Sequence, residues 1–210
     1  MTKIEGLDSI IFDLDGTLWD STGACAQTIN VQLLEKGLSV APVSQKDVSS
    51  AMGLPHKEYL EKVFSKASLE EKQLLASQAF DHTKISMESI LLYDGVEEGI
   101  KALSEQYRLY IVSNCESGYI ENFLNITSLK PYFKDFECWG NTGQEKYKNI
   151  LSVMERNHLQ SPLYVGDTQG DKTAAEKAGI PFIAVNYGFG NVEGLFTASS
   201  FKEILNLIAV

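Results

Sequence analysis

The chain contains little arginine and little positive charge of any kind. Of its 210 residues only Arg108 and Arg156 are arginines, and 18 Lys+Arg against 28 Asp+Glu give a formal net charge of -10. A chain this acidic repels nucleic-acid backbones and anionic membrane surfaces, so we expect neither as a partner. An anionic substrate would have to be met locally, by a metal ion or by a few lysines.

Cysteine and long apolar runs are also scarce. Cys25, Cys115 and Cys138 are odd in number, widely spaced and without a CxxC pattern, which argues against a disulfide framework or a structural zinc site. No stretch approaches the ~18 uninterrupted apolar residues of a membrane span. The first residues lack a long apolar segment, so we expect no signal peptide. These absences favour a cytoplasmic protein with reduced thiols.

The sequence does contain short apolar runs that alternate with helical patterns. The runs predict strands at 9–12, 109–112, 133–138, 163–165 and 182–185. The helical patterns cover 96–107, 118–125, 144–157, 171–178 and 201–208. In the fourth of these helices Asp171 is expected to cap the start and Gly179 the end. The alternation predicts an α/β fold, with a parallel sheet covered by helices on both faces.

One long interval breaks the alternation. Between residues 20 and 90 no strong strand is visible. Glycine and proline separate helical patterns there at 22–36, 44–52, 56–65 and 69–90. A block of this length is too long for a connecting loop. We therefore predict an all-helical cap domain at 20–90, inserted into a core made of 1–19 and 91–210.

Two carboxylates directly follow the first apolar run. Asp13 and Asp15 lie one residue apart, and two like charges this close resist joint ionisation unless a cation or a proton shares the site. Polar residues also follow the later runs, and sites in parallel sheets form at the carboxyl ends of strands. We expect four segments to meet in one crevice: 13–15, 113–114, Lys146 and 166–171.

These residue types suit chemistry on a phosphate. Asp13 is a candidate nucleophile, because a carboxylate can attack phosphorus and form an aspartyl-phosphate. Asp15 can protonate the leaving oxygen and later deprotonate the attacking water. Ser113, which leads into a helix N-terminus, can donate a hydrogen bond to a phosphate oxygen. Lys146 supplies positive charge for the transferring group.

The remaining carboxylates suggest a metal site. Asp13, Asp167 and the carbonyl oxygen of Asp15 are hard oxygen ligands of the kind that Mg²⁺ prefers. Asp171 is expected to bind the ion directly or through water, or to orient Lys146. The predicted metal set is thus Asp13, Asp15, Asp167 and Asp171. Each segment taken singly would be an ordinary turn, cap or surface lysine, and the prediction depends on their occurring together.

The same segments resemble a known superfamily. Residues Phe12-Asp13-Leu14-Asp15-Gly16-Thr17-Leu18 look like the first motif of the haloacid dehalogenase-like superfamily. Residues 111–114 resemble its second motif, Lys146 its third and 166–171 its fourth, so the resemblance covers essentially the whole chain. It implies a Rossmann-like core, a Mg²⁺ cofactor and an aspartyl-phosphate intermediate. The expected substrate-binding residues are Gly16, Thr17, Ser113, Asn114 and Lys146.

Asp15 narrows the resemblance within the superfamily. Phosphatases and phosphomutases have this second aspartate of the first motif, whereas dehalogenases lack it. Segments 18–21, 93–96 and 187–190 are similar to the phosphoglycolate phosphatase-like group with a helical cap. The resemblance thus implies a Mg²⁺-dependent phosphatase acting on a small phosphorylated metabolite, phosphoglycolate-like or a sugar phosphate. We expect it to be a monomer or a weak homodimer.

Two departures from the pattern leave alternatives open. No proline follows Lys146, so Lys148 competes for the third-motif role. Residues 20–90 contain no arginine, whereas the similar β-phosphoglucomutase branch uses a cap arginine on a second phosphate, and lysine does not replace its bidentate contact. Phosphoryl transfer of the mutase type is therefore an alternative to hydrolysis. A non-catalytic regulatory protein with the same fold is another.

Overall fold

The computed structural model describes residues 3–54, 56–76, 81 and 91–208. In these residues the strands are β1 (Ser9–Phe12), β2 (Trp19–Asp20), β3 (Leu91–Leu92), β4 (Arg108–Ser113), β5 (Phe133–Cys138), β6 (Pro162–Gly166), β7 (Phe182–Val185) and β8 (Phe196–Ala198). Within the described part, six of them form one sheet in the order β5-β4-β1-β6-β7-β8. All its strand pairs are parallel. The predicted α/β architecture is confirmed.

Helices cover both faces of this sheet. The described helices are α1 (Thr22–Glu35), α2 (Gln45–Ser49), α3 (His56–Val63), α4 (Leu69–Ala76), α5 (Val96–Ser104), α6 (Tyr119–Ile126), α7 (Trp139–Thr142), α8 (Lys146–Arg156), α9 (Gln169–Ala178) and α10 (Phe201–Leu207). One apolar cluster includes residues of α5, α6 and α10, and a second includes residues of α8 and α9. The core is therefore Rossmann-like, with the sheet between two helical layers.

The sequence of β1 explains why it lies at the centre. All four of its residues are buried, and alternate side chains of a strand point to opposite faces. Ile10 and Phe12 belong to the first apolar cluster and Ile11 to the second. A strand covered on both faces needs a continuous apolar run rather than an alternating one, and that run is the signal by which β1 could be predicted.

The two ends of the interval 20–90 lie next to each other. β2 and β3 pair antiparallel, Trp19 with Leu92 and Asp20 with Leu91. Helices α1 to α4 lie between them, as the sequence predicts. The predicted helix at 69–90 is present over Leu69–Ala76, and the rest of that prediction, apart from residue 81, falls outside the described residues. The chain thus leaves and re-enters next to the end of β1.

Several elements differ from the predictions. Strands β2, β3 and β8 and the short helix α7 have no counterpart among them, because two to four residues are too few to show a periodicity. The expected cap at Asp171 is wrong. Helix α9 begins at Gln169, and Thr168 is its N-cap residue. The Thr168 hydroxyl accepts from the backbone N–H of Asp171, in the third helical position, and the Asp171 side chain accepts from the backbone N–H of Thr168. Gly179 does end this helix, in the left-handed conformation.

Candidate active site

Three neighbouring strands end at one level of the sheet. Phe12, the last residue of β1, pairs with Ile111 of β4 and Val165 of β6. Within two residues of these positions the chain reaches Asp13, Ser113 and Asp167. From β1 the chain builds β4 and β5 on one side of the sheet and then crosses over to β6, β7 and β8 on the other side. These residues therefore lie at the topological switch point, where parallel sheets form ligand crevices.

Three buried carboxylates converge there. Oxygens of Asp13, Asp167 and Asp171 all lie within 4.8 Å of one another. Burial raises the pKa of Asp13 well above its usual value, and the neighbouring charge of Asp171 adds to the effect. Burial and the same neighbour raise the pKa of Asp167 to about 7. Each carboxylate would therefore gain from a cation placed between them.

Asp167 has one oxygen that protein groups satisfy and one that they do not. Its Oδ2 accepts hydrogen bonds from the backbone N–H groups of Phe189 at 2.7 Å and Gly190 at 3.0 Å. Its Oδ1 is buried and has no hydrogen-bond partner. A buried carboxylate oxygen without a donor is costly. Because Asp167 belongs to the three-carboxylate cluster, an unpartnered oxygen on it suits a divalent cation, and the donor set is the hard-oxygen type that Mg²⁺ takes.

Lys146 supplies the positive charge of the cluster. Its Nζ donates to Asp13 Oδ1 at 2.8 Å and to Asp171 Oδ1 at 2.5 Å. Burial alone would lower the pKa of this lysine, but the two carboxylates outweigh it and hold the pKa well above its usual value. Lys146 is therefore a fixed ammonium group beside Asp13. Lys148 is exposed, so the structure brings Lys146, and not Lys148, to the carboxylates.

Asp171 is held from several directions. Its Oδ2 accepts from the Thr168 backbone N–H at 2.9 Å and from the Thr168 hydroxyl at 2.6 Å. Its Oδ1 accepts from Lys146 at 2.5 Å and, at the long distance of 3.5 Å, from the Tyr164 hydroxyl. Asp171 thus links the first turn of α9 to the lysine, which makes it both a helix residue and an orienting partner for Lys146.

Asp15 lies in a different setting from the other three carboxylates. Its Oδ1 accepts from Trp19 Nε1 at 2.9 Å, from Ser21 Oγ at 2.5 Å and from the Tyr119 hydroxyl at 2.8 Å. Burial nevertheless raises the pKa of Asp15, because it outweighs these hydrogen bonds. The cluster of oxygens found in the described residues does not include the Asp15 carboxylate, so its predicted metal contact would be through the backbone carbonyl.

Gly16 and Thr17 form the turn beside Asp13. Gly16 has φ +87°, and a Cβ built on it would overlap the Asp167 carboxylate. Only glycine combines that backbone with that proximity. The Thr17 hydroxyl oxygen is buried without a hydrogen-bond partner, while its backbone carbonyl accepts from the Tyr187 hydroxyl at 2.9 Å. The turn thus packs against the Asp167 carboxylate on one side and against Tyr187 on the other.

Ser113 and Asn114 complete the site on the β4 side. Ser113 is the last residue of β4 and is buried. The Asn114 side chain donates to the carbonyl of Gly53, at 3.3 Å. A Cβ on Gly53 would lie 2.8 Å from Thr168 Cγ2. The loop after α2 therefore contacts residues that follow β4 and β6, next to the site.

Sequence reasoning missed the groups that hold the carboxylates. The N–H groups of Phe189 and Gly190 fix Asp167, and Trp19, Ser21 and Tyr119 fix Asp15. The glycines around Phe189 were a usable signal, since a Cβ on Gly188 or Gly190 would overlap Asp167. No sequence signal pointed to Tyr119, because it lies 104 residues from Asp15.

Comparison with known proteins identifies the family of this chain. The sequence model of the haloacid dehalogenase-like hydrolase family matches residues 10–185. The chain belongs to the haloacid dehalogenase-like hydrolase family. The match runs from β1 to the end of β7 and so spans all four predicted motifs. Membership confirms the resemblance drawn from residues 12–18 and makes the chain a hydrolase.

Individual relatives of this haloacid dehalogenase-like hydrolase include phosphatases. A phosphoglycolate phosphatase of Yersinia pestis is 26% identical over 208 residues, covering 94% of this chain and 89% of that protein. Another of Vibrio vulnificus is 26% identical over 230 residues, covering 100% and 99%. A solved haloacid dehalogenase-like family hydrolase from Streptococcus pneumoniae superposes with a TM-score of 0.80 at 20% identity, covering 95% and 97%. That structural likeness confirms the fold.

The helices of this haloacid dehalogenase-like hydrolase can be compared with the expectation that no segment spans a membrane. Over the residues that the structure describes, none is both long enough and apolar enough to cross a bilayer.

Proposed function

We propose that this chain is a Mg²⁺-dependent phosphatase that hydrolyses a small phosphorylated metabolite through an aspartyl-phosphate on Asp13. The observation that carries the proposal is the buried cluster of Asp13, Asp167 and Asp171 with Lys146 bonded to two of its members. A carboxylate nucleophile beside a fixed ammonium group suits phosphoryl transfer. The unpartnered oxygen of Asp167 suits a cation that would offset the charge of the phosphate. The phosphoglycolate phosphatases among the relatives favour the same activity.

The cluster residues would hold the metal ion. Asp13 and Asp167 offer carboxylate oxygens and Asp15 its carbonyl oxygen. Asp171 would contribute through water, because both of its oxygens already accept hydrogen bonds. When bound, Mg²⁺ lowers the repulsion between the carboxylate nucleophile and the anionic phosphate. The unpartnered Oδ1 of Asp167 is the feature of this chain that supports such binding.

The proposed reaction has two steps on one phosphorus atom. The Asp13 carboxylate attacks phosphorus as the ester oxygen departs and takes a proton from Asp15. Asp15 then removes a proton from water, which attacks the same phosphorus, releases phosphate and restores Asp13. Lys146 and the Ser113 hydroxyl offset the negative charge of the transferring group. A carboxyl group whose pKa is raised by burial suits Asp15 for both proton transfers.

We further propose that residues 20–90 act as a cap on a core of 1–19 and 91–210. Their two ends meet in the β2–β3 pair, and the loop at Gly53 contacts Asn114. A helical unit carried on two adjacent connections can close over the carboxyl ends of β1, β4 and β6. Closure would exclude bulk water from the aspartyl-phosphate and select the alkyl part of the substrate. Gly16 and Thr17 would line the phosphate end of the enclosed space.

The first test is turnover of a panel of phosphate esters with detection of free phosphate. We expect Mg²⁺-dependent hydrolysis of p-nitrophenyl phosphate and of at least one alkyl ester such as phosphoglycolate, without a bisphosphate activator. Asp15→Asn should reduce kcat on the alkyl ester ~10²–10⁴-fold, because the leaving group and the attacking water lose their proton partner. An absolute need for a bisphosphate would point to a mutase. A folded protein that turns over no ester contradicts the proposal.

A second prediction concerns metal binding and is independent of activity. Mg²⁺ at about 100 times its Kd should stabilise the wild-type protein by about 2.7 kcal/mol, because it binds the folded cluster only. Asp167→Asn should remove most of this stabilisation, since it removes the negative charge beside the unpartnered oxygen. Thermal unfolding with and without Mg²⁺ measures both. Asp94→Asn, at an exposed position, is the matched control; equal Mg²⁺ stabilisation in the two variants would refute the assignment.

A further inference from the structure

One oxygen of Asp15 receives three hydrogen bonds. Trp19 Nε1 lies 2.9 Å from Oδ1, the Ser21 hydroxyl 2.5 Å and the Tyr119 hydroxyl 2.8 Å. The three donors come from β2, from the residue before α1 and from the first residue of α6. Groups this far apart in the chain therefore converge on one atom of one side chain.

Packing holds the three donors in place. Trp19 is fully buried, and Ser21 and Tyr119 are nearly so. The Trp19 ring meets the rings of Tyr119 and Phe123 edge to face, with centroids 5.5 and 5.0 Å away. The Tyr119 hydroxyl also contacts the Cys25 sulfur at 3.6 Å. Donors that packing holds on several sides can fix the orientation of the carboxylate they bond to.

We propose that Trp19, Ser21 and Tyr119 are positioning residues that reserve Oδ1 of Asp15 and so confine its acid–base chemistry to Oδ2. The indole N–H can only donate, so Oδ1 must always accept from it. When the carboxyl group is protonated, the oxygen that stays a carbonyl is the better acceptor. Three donors at Oδ1 thus place the proton on Oδ2.

This inference depends on the proposed function, because it assigns atoms within the proposed proton transfers. In the first step Oδ2–H gives its proton to the departing ester oxygen, and the Oδ2 lone pair is left free. In the second step Oδ2 takes a proton from the attacking water and returns to its starting state. Both transfers use the same oxygen, and the carboxyl group need not rotate between them.

Tyr119→Phe tests the proposal, because it removes one donor and keeps the ring. For an alkyl ester, phosphoglycolate first, kcat/KM should fall about tenfold, since a hydrogen bond to a charged group is worth roughly this factor. For p-nitrophenyl phosphate, whose leaving group needs little protonation, the change should be within about twofold. KM for both esters should stay near the wild-type value. Tyr110→Phe, which removes a buried hydroxyl on the opposite face of the sheet, is the control.

A double-mutant cycle separates positioning from general damage. In the Asp15→Asn background Tyr119→Phe should have no further effect on kcat/KM, because the acid–base group is already gone. Equal losses on the two esters, or the same loss in both backgrounds, would overturn the proposal. If Tyr119→Phe does not fold, as judged by circular dichroism, Ser21→Ala is measured in the same cycle and decides by the same criteria.

The controls also distinguish this inference from the proposed function. If the wild-type protein hydrolyses neither ester, or if Asp15→Asn is fully active on the alkyl ester, the phosphatase mechanism fails and the positioning role fails with it. If the wild-type protein and Asp15→Asn behave as predicted but Tyr119→Phe matches Tyr110→Phe, then the positioning role alone is refuted.

Discussion

The Asp13→Asn variant is expected to lose phosphatase activity by more than about 10⁴-fold, because an amide cannot form the phosphorylated intermediate proposed for the carboxylate. The residue lies at the end of β1, where Lys146 donates to its Oδ1 at 2.8 Å. An asparagine side chain has almost the same shape and keeps one acceptor oxygen. The variant should therefore fold, and the loss should appear in kcat with p-nitrophenyl phosphate under saturating Mg²⁺.

Trapping the intermediate makes this prediction specific. Acid quenching of the wild-type protein during turnover should give a protein heavier by one phosphoryl group, located by peptide mass analysis in the segment that contains Asp13. Asp13→Asn should carry none. Asp94→Asn, an exposed position, should behave as wild type in both assays. A fully active Asp13→Asn protein would refute the covalent mechanism, and a phosphoryl group on another residue would reassign the nucleophile.

The core of the fold was predictable because its signals are local. A strand covered on both faces must be apolar at every position, and the four residues of β1 are all apolar or small and all buried. The boundaries of β1, β5 and β7 match the predicted runs. Strand β8 has three residues, of which Thr197 is exposed. A strand of that length lacks enough alternation to be recognised, so it could not be predicted.

The choice between Lys146 and Lys148 shows what local signals cannot supply. On a helix each residue turns by ~100°, so two lysines two positions apart point in nearly opposite directions. Which of them faces β1 depends on where α8 begins and how it packs. The helix begins at Lys146 rather than at the predicted residue 144, and its buried side includes Lys146, Asn149 and Ile150.

The surroundings of Asp15 and Asp171 show a further limit. The pattern at 166–171 shows polar residues after the fourth apolar run. It does not reveal that Thr168 is the N-cap residue of α9, or that Asp171 bonds Thr168 through Oδ2 and Lys146 through Oδ1. For Asp15, the donors Trp19 and Ser21 are near in sequence, but Tyr119 is not. Such contacts arise from the packing of whole helices, and one sequence carries no record of them.

Lys146→Met should reduce kcat by about 10³-fold, because the transferring group loses its fixed positive charge. The same change should lower stability, since Asp13 and Asp171 keep their buried carboxylates and lose the ammonium group that lies 2.8 and 2.5 Å away. Removing one partner of a buried ion pair costs about 3–5 kcal/mol. Urea unfolding without Mg²⁺ should show the lower stability, and kinetics with p-nitrophenyl phosphate should show the lower kcat.

Mg²⁺ distinguishes the two roles of this lysine. A divalent cation in the same cluster replaces part of the missing charge, so it should restore much of the stability of Lys146→Met. It should not restore kcat, because in the proposed mechanism the metal ion and the ammonium group are both required and neither substitutes for the other. Lys148→Met, at an exposed position, should be near wild type in both measurements. If Lys148→Met loses as much activity as Lys146→Met, then the assignment of Lys146 to the phosphoryl group is refuted.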